Sequence, residues 1–232
     1  MKKTAIILIT KNRQKLLKQT IRTLFANTSR VLFDLIVIDD GSDDISSLIE
    51  FNSAGLISDL VLTNLGSLSS CRNIGAEIAR KKGYEFIYHT DNDMYFLPNW
   101  LENCHKAYKI DKRIKIVGAY CHPFMRANND FLDKTKDGIE TVDAVSGNSW
   151  FISTDDFFNY GLKETTGIMA SEDWEMCQRI RKDKNLVIRL IPHKVLHCGV
   201  TNSNGDPATG ADVMLEELSQ ARINYKLDIY YE

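Results

Sequence analysis

The sequence predicts an α/β chain built on a mostly parallel central sheet flanked by helices. Three observations carry this. Short apolar runs recur at Thr4–Thr10 (TAIILIT), Leu32–Ile38 (LFDLIVI), Leu60–Thr63 and Glu85–His89. Stretches of helical period or helical composition lie between them. Each run stops in polar residues: Thr10/Asn12, Asp39/Asp40, Thr63/Asn64 and Asp91/Asp93. Strands alternating with helices in this way give a parallel sheet with right-handed crossovers.

The elements follow in order. Asn12–Asn27 is a predicted helix, with Leu16, Leu17, Thr20, Ile21, Leu24 and Phe25 on one stripe. Asp44 to Phe51 is a short helix. Ser67–Lys82 is a helix whose Ile74, Ile78, Ala76 and Ala79 suit packing on a sheet, and Gly83 ends it. Trp100–Tyr108 is helical and Ile114–Ala119 a strand. Residues 125–140 are polar and read as a loop. Val142–Ser153 turns at Gly147-Asn148 and then becomes a strand. Ser171–Lys184 is a helix with Ser171 as N-cap, and Leu186–Leu190 is a strand. Thr201–Gly210 is dense in turn formers. Asp212–Tyr230 is a helix of mixed charge, a candidate cover for the sheet or a homodimer contact.

Composition excludes several classes. The 232 residues suffice for one large domain or two fused halves. A formal net charge of −2 gives no support to a nucleic-acid partner. The N-terminal apolar run, Ala5 to Ile9, is too short for a signal-peptide core. No run approaches the roughly 18 apolar residues of a membrane span, so a soluble, cytoplasmic protein is expected. Cys71, Cys104, Cys121, Cys177 and Cys198 are odd in number and form no CxxC, so reduced thiols are expected rather than disulfides or a zinc site.

The polar strand ends should converge, because open α/β sheets bind ligands outside the carboxyl ends of their strands. Asp91 and Asp93 end the fourth strand; residues i and i+2 of an extended segment point the same way. Two adjacent carboxylates repel unless a cation lies between them. They read as half of a magnesium site completed by substrate phosphates, or as a polar turn. Asp39 and Asp40 have the chemistry to accept hydrogen bonds from a base or ribose, or to form an Asx-turn.

In combination the segments are more specific. IILITKNR, VIDDGSDD, NLGSLSSCRNIGAEIA and YHTDND, in this order, resemble the family-two inverting glycosyltransferases. The resemblance runs over about residues 4–200 and is strongest over 4–95. It implies a GT-A fold: a Rossmann-like, mostly parallel central sheet with a smaller acceptor-side subregion. Residues 1–95 would bind the nucleotide-sugar donor, 96–200 would bind acceptor and supply the base, and 201–232 would form a C-terminal loop and helix.

The resemblance also implies roles. Thr10, Asn12 and Arg13 would cradle the donor nucleotide, and Asp40, with Asp39 beside it, would bind the base. Position 11 is Lys11 where the family often has an aromatic. Arg72 and Asn73 would lie beside the diphosphate or donor sugar. Asp91 would touch ribose and metal-bound water, and Asp93 would ligate Mn2+ or Mg2+. His197 is a candidate further ligand, with His193 as fallback. Gly147, Asn148 and Trp150 match the small-residue segment below the donor sugar. Trp150, Trp100 and Trp174 are candidates to stack on a sugar, with core packing the alternative.

Ser171-Glu172-Asp173-Trp174 opens a helix, where acids are favoured by the macrodipole alone. The resemblance makes Asp173 the general base and Glu172 an acceptor-orienting residue. The expected reaction is inverting transfer of a hexosyl or N-acetylhexosaminyl group from a nucleoside-diphosphate sugar, UDP foremost, to a hydroxyl of a glycan, protein or small molecule. Two rivals stand beside it. A nucleotidyltransferase needs a glycine-rich basic loop after the first strand, and LITKNRQKLL has no glycine. A non-catalytic nucleotide-sugar binding module would not need Asp91, Asp93, Glu172 and Asp173 together.

Overall fold

The computed structural model describes residues 3–121, 138–162, 172–201, 207 and 211–231. The first half follows the predicted alternation: β1 Thr4–Thr10, α1 Gln14–Ala26, β2 Phe33–Asp39, α2 Ser46–Ser53, β3 Asp59–Leu62, α3 Leu68–Lys81 and β4 Phe86–Asp91. A single 3-10 turn, Arg30–Leu32, precedes β2. The second half comprises β5 Met94–Phe96, α4 Trp100–Tyr108, β6 Ile114–Gly118, β7 Ile139–Thr141, β8 Ser149–Ser153, α5 Thr154–Tyr160, α6 Glu172–Lys182, β9 Leu186–Leu190, β10 Val195–His197 and α7 Ala211–Tyr225.

Eight strands form the central sheet in the order β3-β2-β1-β4-β8-β6-β9-β7, and β10 pairs with β5 in a second, two-stranded sheet. Within the eight-stranded sheet, β8 runs antiparallel to β4 and β6, and β7 antiparallel to β9, while its other pairings are parallel; β10 and β5 are antiparallel. The carboxyl ends of β1, β2, β4, β6 and β9 therefore share one edge. β1 is buried throughout, as an apolar strand covered on both faces must be.

One face packs Leu17, Ile21 and Leu24 of α1 and Trp100 of α4 on Ile6, Leu8, Leu35 and Val37. The other packs Ala76 and Ala79 of α3 with Ile7, Ile36 and Ile38, and continues to Met176 and Cys177 of α6. A Cβ at Gly75 would overlap the Ile7 side chain, so α3 approaches β1 more closely than any larger residue there allows. A third cluster joins Tyr95 and Leu196 of the small sheet to Met214 and Leu218 of α7. The C-terminal helix thus covers the two-stranded sheet.

Several boundaries differ from expectation. α1 starts at Gln14 because Asn12 and Arg13 both take left-handed backbone, φ 58° and 55°. α7 ends at Tyr225, before Lys226 at φ 53°. β5, β7 and α5 were not anticipated; three-residue strands are too short for periodicity to register. β7 begins within the predicted 125–140 loop and ends one residue beyond it. Ser171, residues 125–137 and most of the 201–210 loop lie outside the described residues. All five cysteines are buried and free. Among the described residues, no helix is long and apolar enough to cross a membrane.

Candidate active site

The chain leaves β1 through the two left-handed residues, and each makes a cross-link. Asn12 N–H donates to Ser42 Oγ at 2.7 Å, and its carboxamide pairs with Asp43. Arg13 Nη1 donates to Asp93 Oδ2 at 2.7 Å and Nη2 to the Thr201 carbonyl at 2.5 Å. Thr10 is buried, and its Oγ1 accepts from Asn92 Nδ2 at 2.8 Å. Asn92 also donates to the Asn12 carbonyl at 3.2 Å. Asn92, the middle residue of Asp-Asn-Asp, therefore fastens the ends of β1 and β4. No local signal in the sequence marks Asn92, because its partners Thr10 and Asn12 lie about 80 residues away.

Asp39 and Asp40 have local work. Asp39 Oδ1 accepts from the Gly41 and Ser42 amides at 3.2 and 2.9 Å, and Oδ2 accepts from Ser42 Oγ. This is the Asx-turn alternative. Asp40 Oδ1 accepts from Leu65 N–H at 2.6 Å and from Thr63 Oγ1 at 3.1 Å, holding the loop between β3 and α3.

Asp91 and Asp93 do not share an extended segment. β4 ends at Asp91, residues 92–93 turn, and β5 joins a different sheet. The turn separates their partners. Asp91 Oδ1 accepts from Arg72 Nη2 at 3.2 Å. Asp93 Oδ2 faces Arg13 and lies 3.3 Å from His197 Nε2, because β10 pairs His197 with Met94. Burial raises the Asp91 carboxyl pKa, Arg72 opposes that and the Asp93 charge adds to it. Burial works the same way on Asp93, but His197 and then Arg13 outweigh it and hold Asp93 below the usual carboxylate range. His197 is raised: burial lowers it, and the Asp93 carboxylate more than compensates. His193 is elsewhere, 3.8 Å from Glu217.

Gly199 completes this corner. A Cβ there would overlap Asp93 Oδ2 and lie 2.8 Å from Arg13 Nη1. Gly199→Ala is therefore expected to destabilise the chain by about 1–3 kcal/mol, the usual cost of overpacking, read as a lower urea midpoint at unchanged m. A midpoint equal to wild type would show that the corner yields freely. No sequence signal distinguished Gly199, since its neighbour Asp93 is remote in the chain.

Arg72 is the hub of the other half. Its side chain is 1% exposed; Nη1 donates to Glu172 Oε1 while Nη2 reaches Asp91. Glu172 is buried and its carboxylate accepts from Arg72, so it anchors that side chain. Asp173, next on α6, is half-buried and accepts from Trp174 N–H through Oδ1 at 2.8 Å. Gly147 fits between: a Cβ would lie 3.1 Å from both Arg72 Nη1 and Asp173 Oδ2. The Asn148 carbonyl accepts from Asp91 N–H at 3.3 Å. Asn73 turns away, donating to the Leu162 carbonyl at 3.2 Å.

Trp150 is core rather than a sugar platform. It is fully buried, packs on His89 at 4.3 Å between ring centroids, and donates from Nε1 to the Gly147 carbonyl at 3.0 Å. Trp100 is equally buried and donates to Thr28 Oγ1 at 2.6 Å. Trp174 is 43% exposed beside Asp173.

Among the described residues, no group of three or more His, Cys, Asp or Glu side chains forms a metal cage. The donor set is smaller: Asp93 and His197 side by side, with Asp93 Oδ1 buried and lacking any partner. One carboxylate and one imidazole suit a divalent cation that takes its remaining ligands from phosphates and water.

The model of one protein family, described as Glycosyl transferase family 2, matches residues 5–166. No curated protein matches the chain. Solved structures that resemble it include GalNAc-T7 with UDP, GalNAc and Mn2+, at TM-score 0.71 and 17% identity over 91% of this chain and 46% of that one. Another is TarS 1-349 of S. aureus, at 0.58 and 17%, over 82% and 58%. A third is the mannosyltransferase PcManGT of Pyrobaculum calidifontis in complex with GDP-Man and Mn2+, at 0.62 and 17%, over 82% and 55%. The chain spans about half the length of these structures. At this identity they bear on the fold: the mixed α/β sheet is that of GT-A glycosyltransferases.

Proposed function

Because the chain belongs to glycosyl transferase family 2, we propose that it is a metal-dependent inverting glycosyltransferase using a nucleoside-diphosphate sugar, UDP-sugar first among them. The observation that carries this is a convergence at one sheet edge. The Asp93–His197 pair lies on one side, and Asp173, beside the Arg72–Glu172 anchor, lies on the other. Two of the solved structures resembling it hold UDP or GDP-Man with Mn2+. Residues 1–95 form the donor half and 96–200 the acceptor half in this reading.

Asp93 and His197 would hold Mn2+ or Mg2+, whose chemistry here is Lewis-acid neutralisation of the departing diphosphate. Arg13 adds a positive charge beside the same carboxylate. Arg72, fixed by Glu172, positions Asp91 and the backbone at Gly147. Asp173 takes the proton of the acceptor hydroxyl as its oxygen bonds to the anomeric carbon and the bond to the diphosphate breaks. Glu172 is a positioning residue acting through Arg72.

The test is nucleotide release from UDP-, GDP- and dTDP-sugars, with and without EDTA. One donor should be turned over, and EDTA should stop it. Asp93→Ala should lower that turnover by a factor on the order of 10³, the several kcal/mol a Lewis acid contributes. Release that survives both EDTA and Asp93→Ala would remove the metal from the reaction. Binding of UDP without turnover of any donor would favour a binding module instead.

A further inference from the structure

A cavity of about 400 Å³ opens at the carboxyl end of β9, lined among the described residues by Arg189, Leu190, Ile191, Pro192, His193 and Glu217. Small-molecule sites have volumes of about 300–1,000 Å³. β9 runs parallel to β6, and β6 shares the direction of β4 through the antiparallel β8, so the cavity lies on the same edge as Asp91. A chain of contacts leads from it to Asp93. His193 meets Tyr120 edge-on at 5.1 Å, Tyr120 stacks on His197 at 5.9 Å, and His197 Nε2 is 3.3 Å from Asp93.

The lining has a definite chemistry. Arg189 Nε donates to Glu140 Oε2 at 2.7 Å, so these two charges cancel. Burial, and then Arg189, push His193 down to about 4, leaving it neutral at pH 7. Among the described lining residues Glu217 is then the remaining charge, with His193 Nδ1 3.8 Å away. Opposite stands an apolar wall, Leu190-Ile191-Pro192, with Ile191 40% exposed. A carboxylate and a guanidinium around an apolar wall suit a ring with one nonpolar face and hydroxyls at its rim. The surplus negative charge disfavours an anionic ring.

We propose that this cavity is the acceptor subsite and takes an uncharged sugar ring, with Glu217 accepting from ring hydroxyls and Ile191 and Pro192 packing on the ring face. The proposal rests on the glycosyl-transfer reading above and deepens it. Glu217 lies on α7, beyond the residues matched by the family model, so this half of the specificity belongs to this chain's own C-terminal helix.

Carbon-13 methyl NMR of Ile191 tests it. The full chain, with UDP and Mg2+, is titrated with methyl β-glycosides of glucose, galactose, mannose and N-acetylglucosamine, and with methyl β-glucuronide. At least one neutral glycoside should move the Ile191 methyl saturably, and the glucuronide should bind about tenfold more weakly or worse. Glu217→Ala should weaken the neutral glycoside about tenfold. Glu217→Gln, which keeps an acceptor oxygen and the side-chain shape, should retain that binding and remove the bias against the glucuronide. A silent Ile191 methyl with all four glycosides, a glucuronide that binds equally well, or indifference to both Glu217 variants overturns the proposal. Calorimetry with UDP on the same samples separates the two readings. With GDP and dTDP run beside UDP, a bound nucleotide with a silent Ile191 defeats the subsite alone, whereas binding of none of the three defeats the glycosyl-transfer reading itself.

Discussion

Asp173→Asn is expected to bind UDP as wild type does and to lose transfer to the acceptor by about 10²–10⁴-fold, the usual contribution of a positioned general base. The substitution keeps the size of the side chain and the oxygen that accepts from Trp174 N–H. It removes only the capacity to take a proton. Asp173 is half-buried at the start of α6, between Gly147 and the exposed Trp174, where a hydroxyl can approach. The comparison is made on transfer with saturating donor, alongside UDP affinity. A wild-type transfer rate in this variant would place the base elsewhere. A parallel loss of UDP binding would show that Asp173 supports the donor side instead.

Arg72→Met is expected to destabilise the chain by about 3–5 kcal/mol, the cost of leaving a buried ion without its partner. Glu172 has 6% side-chain exposure and Asp91 29%, so Glu172 suffers most. Urea unfolding measures this as a shifted midpoint. Arg72→Lys should recover only part of it, because one ammonium cannot reproduce a planar fork donating to two carboxylates. The double variant Arg72→Met/Glu172→Gln should recover more, because it removes the stranded charge. A loss below about 1 kcal/mol in Arg72→Met, the range of an exposed pair, would mean that Glu172 reaches solvent and that the hub is not a hub.

These two residues show what local motifs indicate and what they do not. Arg72 and Asp173 were both singled out from motifs, but nothing local indicated that Glu172 would be spent on Arg72, 100 residues earlier in the chain. Trp150 failed as a sugar platform for a similar reason. Its strand, β8, is inserted between β4 and β6, so its ring meets His89 and Phe157 inside the core. The sequence presents Asp91 and Asp93 as one pair on an extended segment. The turn at 92–93 gives each its own cation, Arg72 and Arg13.

The sequence by itself determined the α/β class, the order of elements through β4 and the polar ends that gather at the sheet edge. Those features rest on periodicity and turn chemistry, which act over a few residues and are written in them. Only the tertiary structure decided that His197 and not His193 stands beside Asp93, that Gly199 must lack a side chain, and that Asn92 locks β1 to β4. It also decided that α7 covers the small sheet and brings Glu217 to the cavity at β9. The physical reason is the strand order. β4 neighbours β8 and not β5, and β9 lies between β6 and β7, so each of these contacts joins residues far apart in the chain and close only once the sheet has formed.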